Sequence, residues 1–274
     1  MKFYEAIYKI FARPVRALYR VRVIGAENLP AEGGCLLCSN HTSMRDVVVL
    51  AAALPRQPRY MAKKELFKIP LLSQLIRALG AFPVDRGGAD VSSIKKSIAM
   101  IEGGEVVSLF PQGHRVKGRC ARGTPIKNGA GLIAYRSGAC VVPAYIKTKA
   151  YRVKPFRRTE IIIGKPIANS DLGFVSGGTA EYSAASHMIF DAICDLGEGV
   201  QRLHHALAVG HFAHDDAAAR VLHGGGEDLR GAGRIAVDQH GHGHVPVFAV
   251  GVDLLARAAA ILGVDDQAFG QQHV

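Results

Sequence analysis

Asn40-His41-Thr42-Ser43-Met44-Arg45-Asp46 sets an imidazole and a carboxylate five residues apart, where a strand-like apolar run meets an apolar helix. At about 100° per residue, positions i and i+5 of one helix point roughly 140° apart. The two side chains therefore meet only if His41 lies in the turn ahead of the helix and folds back. Asp46 would then accept a hydrogen bond from one ring nitrogen and fix the tautomer, leaving the other nitrogen to take a proton from an attacking hydroxyl. A plainer reading of the same residues makes Ser43-x-x-Asp46 a capping box and His41 a loop histidine. Two further segments, Gly80-Ala81-Phe82-Pro83-Val84-Asp85-Arg86 and Phe110-Pro111-Gln112-Gly113-His114-Arg115, each bring an arginine out of a proline or glycine turn. A planar guanidinium on a turn suits a phosphate. A His–Asp unit followed by two such arginines points to acyl transfer onto a hydroxyl of a phosphorylated acceptor.

Short apolar runs alternating with helical patterns must position these groups. Strands are expected at residues 34–39, 106–110, 141–146 and 160–164, and helices at 46–54, 71–79, 90–102, 128–137 and about 179–196. This alternation predicts an α/β sheet with crossover helices. Within 90–102, Val91, Ile94, Ile98 and Ile101 recur at helical spacing and are expected to pack inward, with Lys95 and Lys96 facing water. The His41 turn and the Pro111–Arg115 turn both follow strands. Ligands bind beyond the carboxyl ends of strands in open α/β sheets, so the two turns are expected to share one mouth.

The order of these segments resembles the glycerolipid acyltransferases, in particular the 1-acyl-sn-glycerol-3-phosphate (lysophosphatidic acid) acyltransferases. The family's first motif, Asn-His-x4-Asp, is matched by Asn40 to Asp46, and its second, an apolar segment ending in arginine, by Gly80 to Arg86. Ala62 to Pro70 between them is also similar. The third motif, usually Phe-Pro-Glu-Gly-Thr-Arg, reads Phe110-Pro111-Gln112-Gly113-His114-Arg115, and the fourth is similar to Val141 to Ile146. The resemblance implies a mixed α/β sheet of glycerolipid acyltransferase type over residues 23–198. It makes His41 the general base, Asp46 its orienting partner, and Arg86, Arg115 and Gly113 the phosphate site, with Gln112 and Asn40 as further candidates for substrate binding. Gln112 stands where the family carries glutamate, keeping a carbonyl acceptor without the negative charge, and His114 stands for threonine as a solvent-facing loop residue. The implied reaction moves an acyl chain from acyl-CoA or acyl-carrier protein to lysophosphatidate, with no cofactor and no metal. Another lysophospholipid or glycerol-3-phosphate as acceptor, or a non-catalytic lipid-binding scaffold, are the alternatives.

Charge divides the chain. Residues 1–198 hold 29 Lys and Arg against 15 Asp and Glu, whereas 199–274 hold 5 against 8 and carry 9 of the 12 histidines. The basic first part suits an anionic lipid surface, nucleic acid or an acidic carrier protein. Clustered aromatics and nucleic-acid-binding signatures are not evident, which argues against nucleic acid. No apolar run reaches the roughly 20 residues that span a bilayer. Residues 1–22 instead alternate Lys2, Lys9, Arg13, Arg16 and Arg20 with apolar residues at helical spacing, interrupted by Pro14. That pattern fits an amphipathic helix at the bilayer interface or one docked on the protein's own core. Together these features lead to the expectation of a peripheral or monotopic protein on the cytoplasmic face of the membrane.

Five cysteines, an odd number, point to reduced thiols in a cytoplasmic setting. Cys35 and Cys38 would face opposite sides of a strand, so they are read as core residues. Residues 199–274 are read as an atypical His/Ala/Gly-rich extension, disordered or frameshift-derived, dispensable to fold and activity when the chain is cut after residue 198. His204-His205 and His240-x-His242-x-His244 have the ligand chemistry for zinc, but no neighbouring pattern completes a site.

Overall fold

The strand with the densest apolar sequence lies at the centre of the molecule. Cys35-Leu36-Leu37-Cys38-Ser39 is buried at all five positions, as a strand covered on both faces must be. The computed structural model describes residues 12–84 and 91–209. In chain order the elements are α1 (residues 12–18), β1 (Val21–Ile24), β2 (Cys35–Ser39), α2 (Arg45–Ala53), β3 (Pro58–Lys63) and α3 (Pro70–Ala78). They continue with β4 (Ala81–Val84), α4 (Val91–Glu102), β5 (Val106–Leu109), α5 (Gly129–Ser137), β6 (Val141–Thr148), β7 (Thr159–Ile163) and α6 (Thr179–Val209). The seven strands form one mixed sheet in the order β1-β7-β6-β2-β5-β3-β4. All neighbours are parallel except β6 and β7, which pair antiparallel from Ala144↔Ile163 to Thr148↔Thr159.

Alternation along the strands builds a core on each face. Cys35 and Leu37 enter one core with Ala12 and Val15 of α1, Tyr19 just after it, and Val49 to Ala53 of α2. Leu36 and Cys38 enter the other, with Ile101 of α4, Ala130, Ile133 and Ala134 of α5, and Ile189 and Ile193 of α6. Cys35 and Cys38 therefore lie on opposite sides of the sheet. Burial pushes the Cys35 thiol up to about 12, and raises that of Cys38 further.

Four strands and five helices fall where periodicity puts them, within a few residues. The runs missed were β1, β3 and β4. Each is short and broken by charge or proline, and β4 with its Pro83 is an edge strand, where the missing N–H costs no ladder bond. Two helical details differ from expectation. Val91 is 60% exposed, and the inward face of α4 is centred on Ser93, Ser97 and Ile101; Ser97 Oγ satisfies itself by donating to the Ser93 carbonyl at 2.8 Å. Helix α6 also continues beyond Leu196 to Val209, past the compositional break at residue 198. In α1 and the turn that follows it, the first described part of the N-terminal segment, Ala12, Val15 and Tyr19 dock on the protein's own core, while Arg13, Arg16 and Arg20 are exposed. Residues 1–11 and 210–274, including the His240–His244 run, lie outside the described residues.

The tightest helix contact is between α5 and α6. A Cβ on Gly131 would stand 2.1 Å from the Tyr182 carbonyl oxygen, and the Gly131 N–H, which the first turn of α5 leaves without a helical acceptor, donates to the buried Ser186 Oγ at 2.9 Å. Gly129, two residues earlier, has open space around its Cβ position. Gly131→Ala is expected to destabilise the fold by roughly 1–3 kcal/mol through overpacking. Gly129→Ala should be neutral or stabilise by about 0.5–1 kcal/mol. Urea unfolding of the two variants checks the contrast.

Candidate active site

His41 follows β2 by a single residue, and the Phe110–Arg115 segment follows β5. Because β2 and β5 are adjacent and parallel, the two turns leave the sheet side by side at its carboxyl edge. The His41 ring folds back onto the first turn of α2, with Nδ1 2.9 Å from Asp46 Oδ2. The same carboxylate accepts from the Thr42 and Ser43 N–H groups at 2.5 and 2.7 Å, and from Thr42 Oγ1 at 3.1 Å. Asp46 is fully buried, so these donors replace the water that a buried carboxylate would otherwise lack. The catalytic and capping readings of Asp46 are thus compatible, since one carboxylate closes the helix start and holds the imidazole. Ser43 Oγ takes the Arg45 N–H at 3.2 Å, completing the turn. With Nδ1 donating to an acceptor-only carboxylate, the lone pair of the neutral ring is on Nε2.

The third-motif turn holds the His41 main chain at both ends. Gln112 Oε1 accepts the His41 N–H at 2.8 Å, and the Val116 N–H donates to the His41 carbonyl at 2.8 Å. The Phe110 ring stacks on the imidazole with centroids 4.0 Å apart at 14°. Gln112 is 1% exposed, and its Nε2 donates to Thr124 Oγ1 at 2.7 Å, while the Thr124 hydroxyl donates to the Ala121 carbonyl at 2.6 Å. The glutamine amide suits this setting. It offers an acceptor to His41 and a donor to a hydroxyl whose own proton is committed elsewhere, which a carboxylate cannot do.

Asn40 is 1% exposed and is occupied by the β6 backbone, its Oδ1 accepting the Ile146 N–H at 2.7 Å and its Nδ2 donating to the Ile146 carbonyl at 3.2 Å. This makes Asn40 a clamp on the start of the His41 turn, with both polar ends of its amide engaged by the Ile146 backbone. Gly113 sits at φ +68°, closing a turn through its N–H to the Phe110 carbonyl at 2.9 Å, and its missing side chain leaves room for the Lys127 stem, which would lie 2.9 Å from a Cβ. Arg115 is half-buried and His114 is exposed on the same turn. Arg86 lies outside the described residues. Phe110, Thr124 and Lys127 were not singled out by sequence. Phe110 and Thr124 act through ring stacking and through a partner twelve residues away, relations no local pattern encodes. Lys127, whose N–H donates to the Pro111 carbonyl at 2.8 Å, stands just ahead of α5 and could have been noticed as a further cation near Arg115.

Asn40→Ala would leave the buried Ile146 N–H and carbonyl without partners. An unpaired buried group costs about 1–3 kcal/mol, so chemical denaturation should show a loss of that order, with the fold retained.

The family described as Acyltransferase matches residues 20–147. A Bacillus subtilis 1-acyl-sn-glycerol-3-phosphate acyltransferase is 35% identical over 172 residues, 60% of this chain and 84% of the relative. A chloroplastic protein of the same description from Brassica napus is 30% identical over 62% of this chain and 52% of its own length. In three dimensions the chain is similar to the crystal structure of a 1-acyl-sn-glycerophosphate (LPA) acyltransferase from Thermotoga maritima, with a TM-score of 0.52, 22% identity and coverage of 70% of this chain and 82% of that one. The fold, the ordered motifs and the extent of the Bacillus match together establish that the chain belongs to the 1-acyl-sn-glycerol-3-phosphate acyltransferase family.

Proposed function

We propose that the protein transfers a fatty acyl chain from an acyl thioester, acyl-CoA or acyl-carrier protein, to the free hydroxyl of 1-acyl-glycerol-3-phosphate, giving phosphatidate. The carrying observation is the His41–Asp46 pair, with Nδ1 2.9 Å from the buried carboxylate. In this reading His41 Nε2 takes the acceptor's hydroxyl proton as the oxygen attacks the thioester carbonyl. The C–O bond forms, the C–S bond breaks, and the proton passes from the imidazolium to the departing sulfur. Arg115 on the adjacent turn, together with Arg86, receives the acceptor phosphate. Asn40, Gln112 and Phe110 hold the imidazole in place and do not touch the reacting atoms. The enzyme works at the cytoplasmic face of the membrane as a peripheral or monotopic protein; among the described residues no helix is long and apolar enough to cross a membrane.

Transfer of a labelled acyl chain to lysophosphatidate in detergent, from either carrier, tests the reaction. Removing a general base typically costs about 10²–10⁴-fold, so His41→Ala is expected to abolish most product; a His41→Ala variant as active as wild type sinks the mechanism.

Gln112 provides a separate check. Loss of the Oε1 that fixes the His41 N–H lets the ring drift, and misplacement of about 1 Å costs up to about 10²-fold. Gln112→Ala should therefore lower kcat at little-changed KM for the acceptor, and Gln112→Glu, which retains the acceptor oxygen for His41 but loses the donor to Thr124, should fall between that variant and wild type. A Gln112→Ala effect confined to KM would instead place this side chain against the substrate.

A further inference from the structure

The structure brings together two basic segments that are far apart in sequence. Residues 12–24 contain four arginines, and residues 147–159 contain six lysines and arginines, with no aspartate or glutamate in either stretch. The second stretch is the hairpin between β6 and β7, and it docks on α1. Its Phe156 N–H donates to the Leu18 carbonyl at 2.6 Å, and Val153 is buried in the same core as Val15 and Tyr19. Burying Val153 turns its neighbours outward, so Lys149, Arg152, Lys154 and Arg157 are all exposed. Arg13 and Arg16 on the outer side of α1, and Arg20 in the turn after it, extend the same surface. Lys147 and Arg158 are ion-paired to Glu160; the four outward hairpin cations have no carboxylate partner among the described residues. Amid them stands Phe156, 61% exposed.

This surface lies on the catalytic edge. β6 runs parallel to β2, and Ile146, which clamps Asn40, precedes Lys149 by three residues, a strand distance of about 10 Å. The hairpin therefore leaves the sheet beside the turn that carries His41.

We propose that the α1–hairpin surface docks on an anionic phospholipid bilayer, with the cations on the headgroups and the Phe156 ring at the interface, so that the His41 mouth opens onto the leaflet. Unpaired cations attract an anionic surface at about 1 kcal/mol each within a Debye length, and an exposed ring among cations is the composition of an interfacial anchor. An acidic carrier protein would also answer the charge, but it gives the exposed ring no apolar medium to enter. The choice of bilayer rests on the lipid-acceptor reading above.

The test uses the full chain, sedimented with phosphatidylcholine vesicles with or without phosphatidylglycerol, alongside acyl transfer to lysophosphatidate dispersed in detergent. Wild type should bind the anionic vesicles in a salt-sensitive manner and the neutral ones weakly. Neutralising one hairpin cation should weaken binding roughly fivefold, and Lys149→Gln, Arg152→Gln, Lys154→Gln and Arg157→Gln together a hundredfold or more, with thermal unfolding and detergent-phase transfer unchanged. The single variants Lys154→Gln and Phe156→Ala, both at exposed positions, carry the test if the fourfold variant folds poorly. The proposal is overturned if the variants bind anionic vesicles like wild type, if neutral vesicles bind wild type equally well, or if the variants lose an acyl-carrier protein complex while keeping the vesicles. Hairpin-dependent vesicle binding by a protein that transfers no acyl chain would support the surface and count against the proposed reaction alone.

Discussion

The buried carboxylate of Asp46 is the constraint on which the site depends. A carboxylate without solvent is tolerated only where donors surround it, and here the donors are His41 Nδ1, the Thr42 and Ser43 N–H groups and the Thr42 hydroxyl. Meeting that requirement fixes the path of residues 41–43, the start of α2 and the orientation of the imidazole together. A carboxylate in the first turn of a helix is also favoured by the helix dipole. The arrangement that stabilises the fold locally is therefore the one that leaves Nε2 available for chemistry.

Around this centre, both neighbouring strands restrain His41 or the residue ahead of it. β6 holds Asn40 through both backbone groups of Ile146. The segment following β5 supplies Gln112, the Val116 N–H and the Phe110 ring. These restraints come from residues about 70 and 106 positions away, and they converge because β2 lies between β6 and β5 in the sheet. A histidine held at both main-chain groups, at one ring nitrogen and at one ring face has lost most of its freedom before substrate arrives. Effective general-base catalysis requires that preorganisation. The glutamine at position 112 fits the same logic, since its amide satisfies an acceptor need at His41 and a donor need at Thr124 without adding a buried charge.

The distribution of charge follows from the same topology. The antiparallel return from β6 to β7 throws a basic hairpin out at the carboxyl edge of the sheet, where α1 covers its buried valine. Cations that burial would penalise are thus collected on one rim, beside the turn that carries His41.

Much of this was legible in the residues themselves. The almost continuously apolar β2 and the helical spacing of α2 and α6 could be read directly, because burial on both faces or on one stripe leaves a periodic mark. The i to i+5 spacing of His41 and Asp46 required a turn, and the opposite facing of Cys35 and Cys38 follows from strand alternation alone. Short strands such as Ala81–Val84 left no such mark, since an edge position tolerates proline and demands little apolar surface. Tertiary structure alone decided that Ser97 rather than Val91 faces inward on α4, that the Asn40 amide bonds the Ile146 backbone and the Gln112 amide the His41 N–H and the Thr124 hydroxyl, and that Phe110 stacks on His41. It alone joined the arginines of α1 to the 149–158 hairpin. Sequence determines what each short segment can do, because periodicity and hydrogen-bonding chemistry are local. Which segments meet depends on strand order, and strand order is set by how the whole sheet buries its two faces.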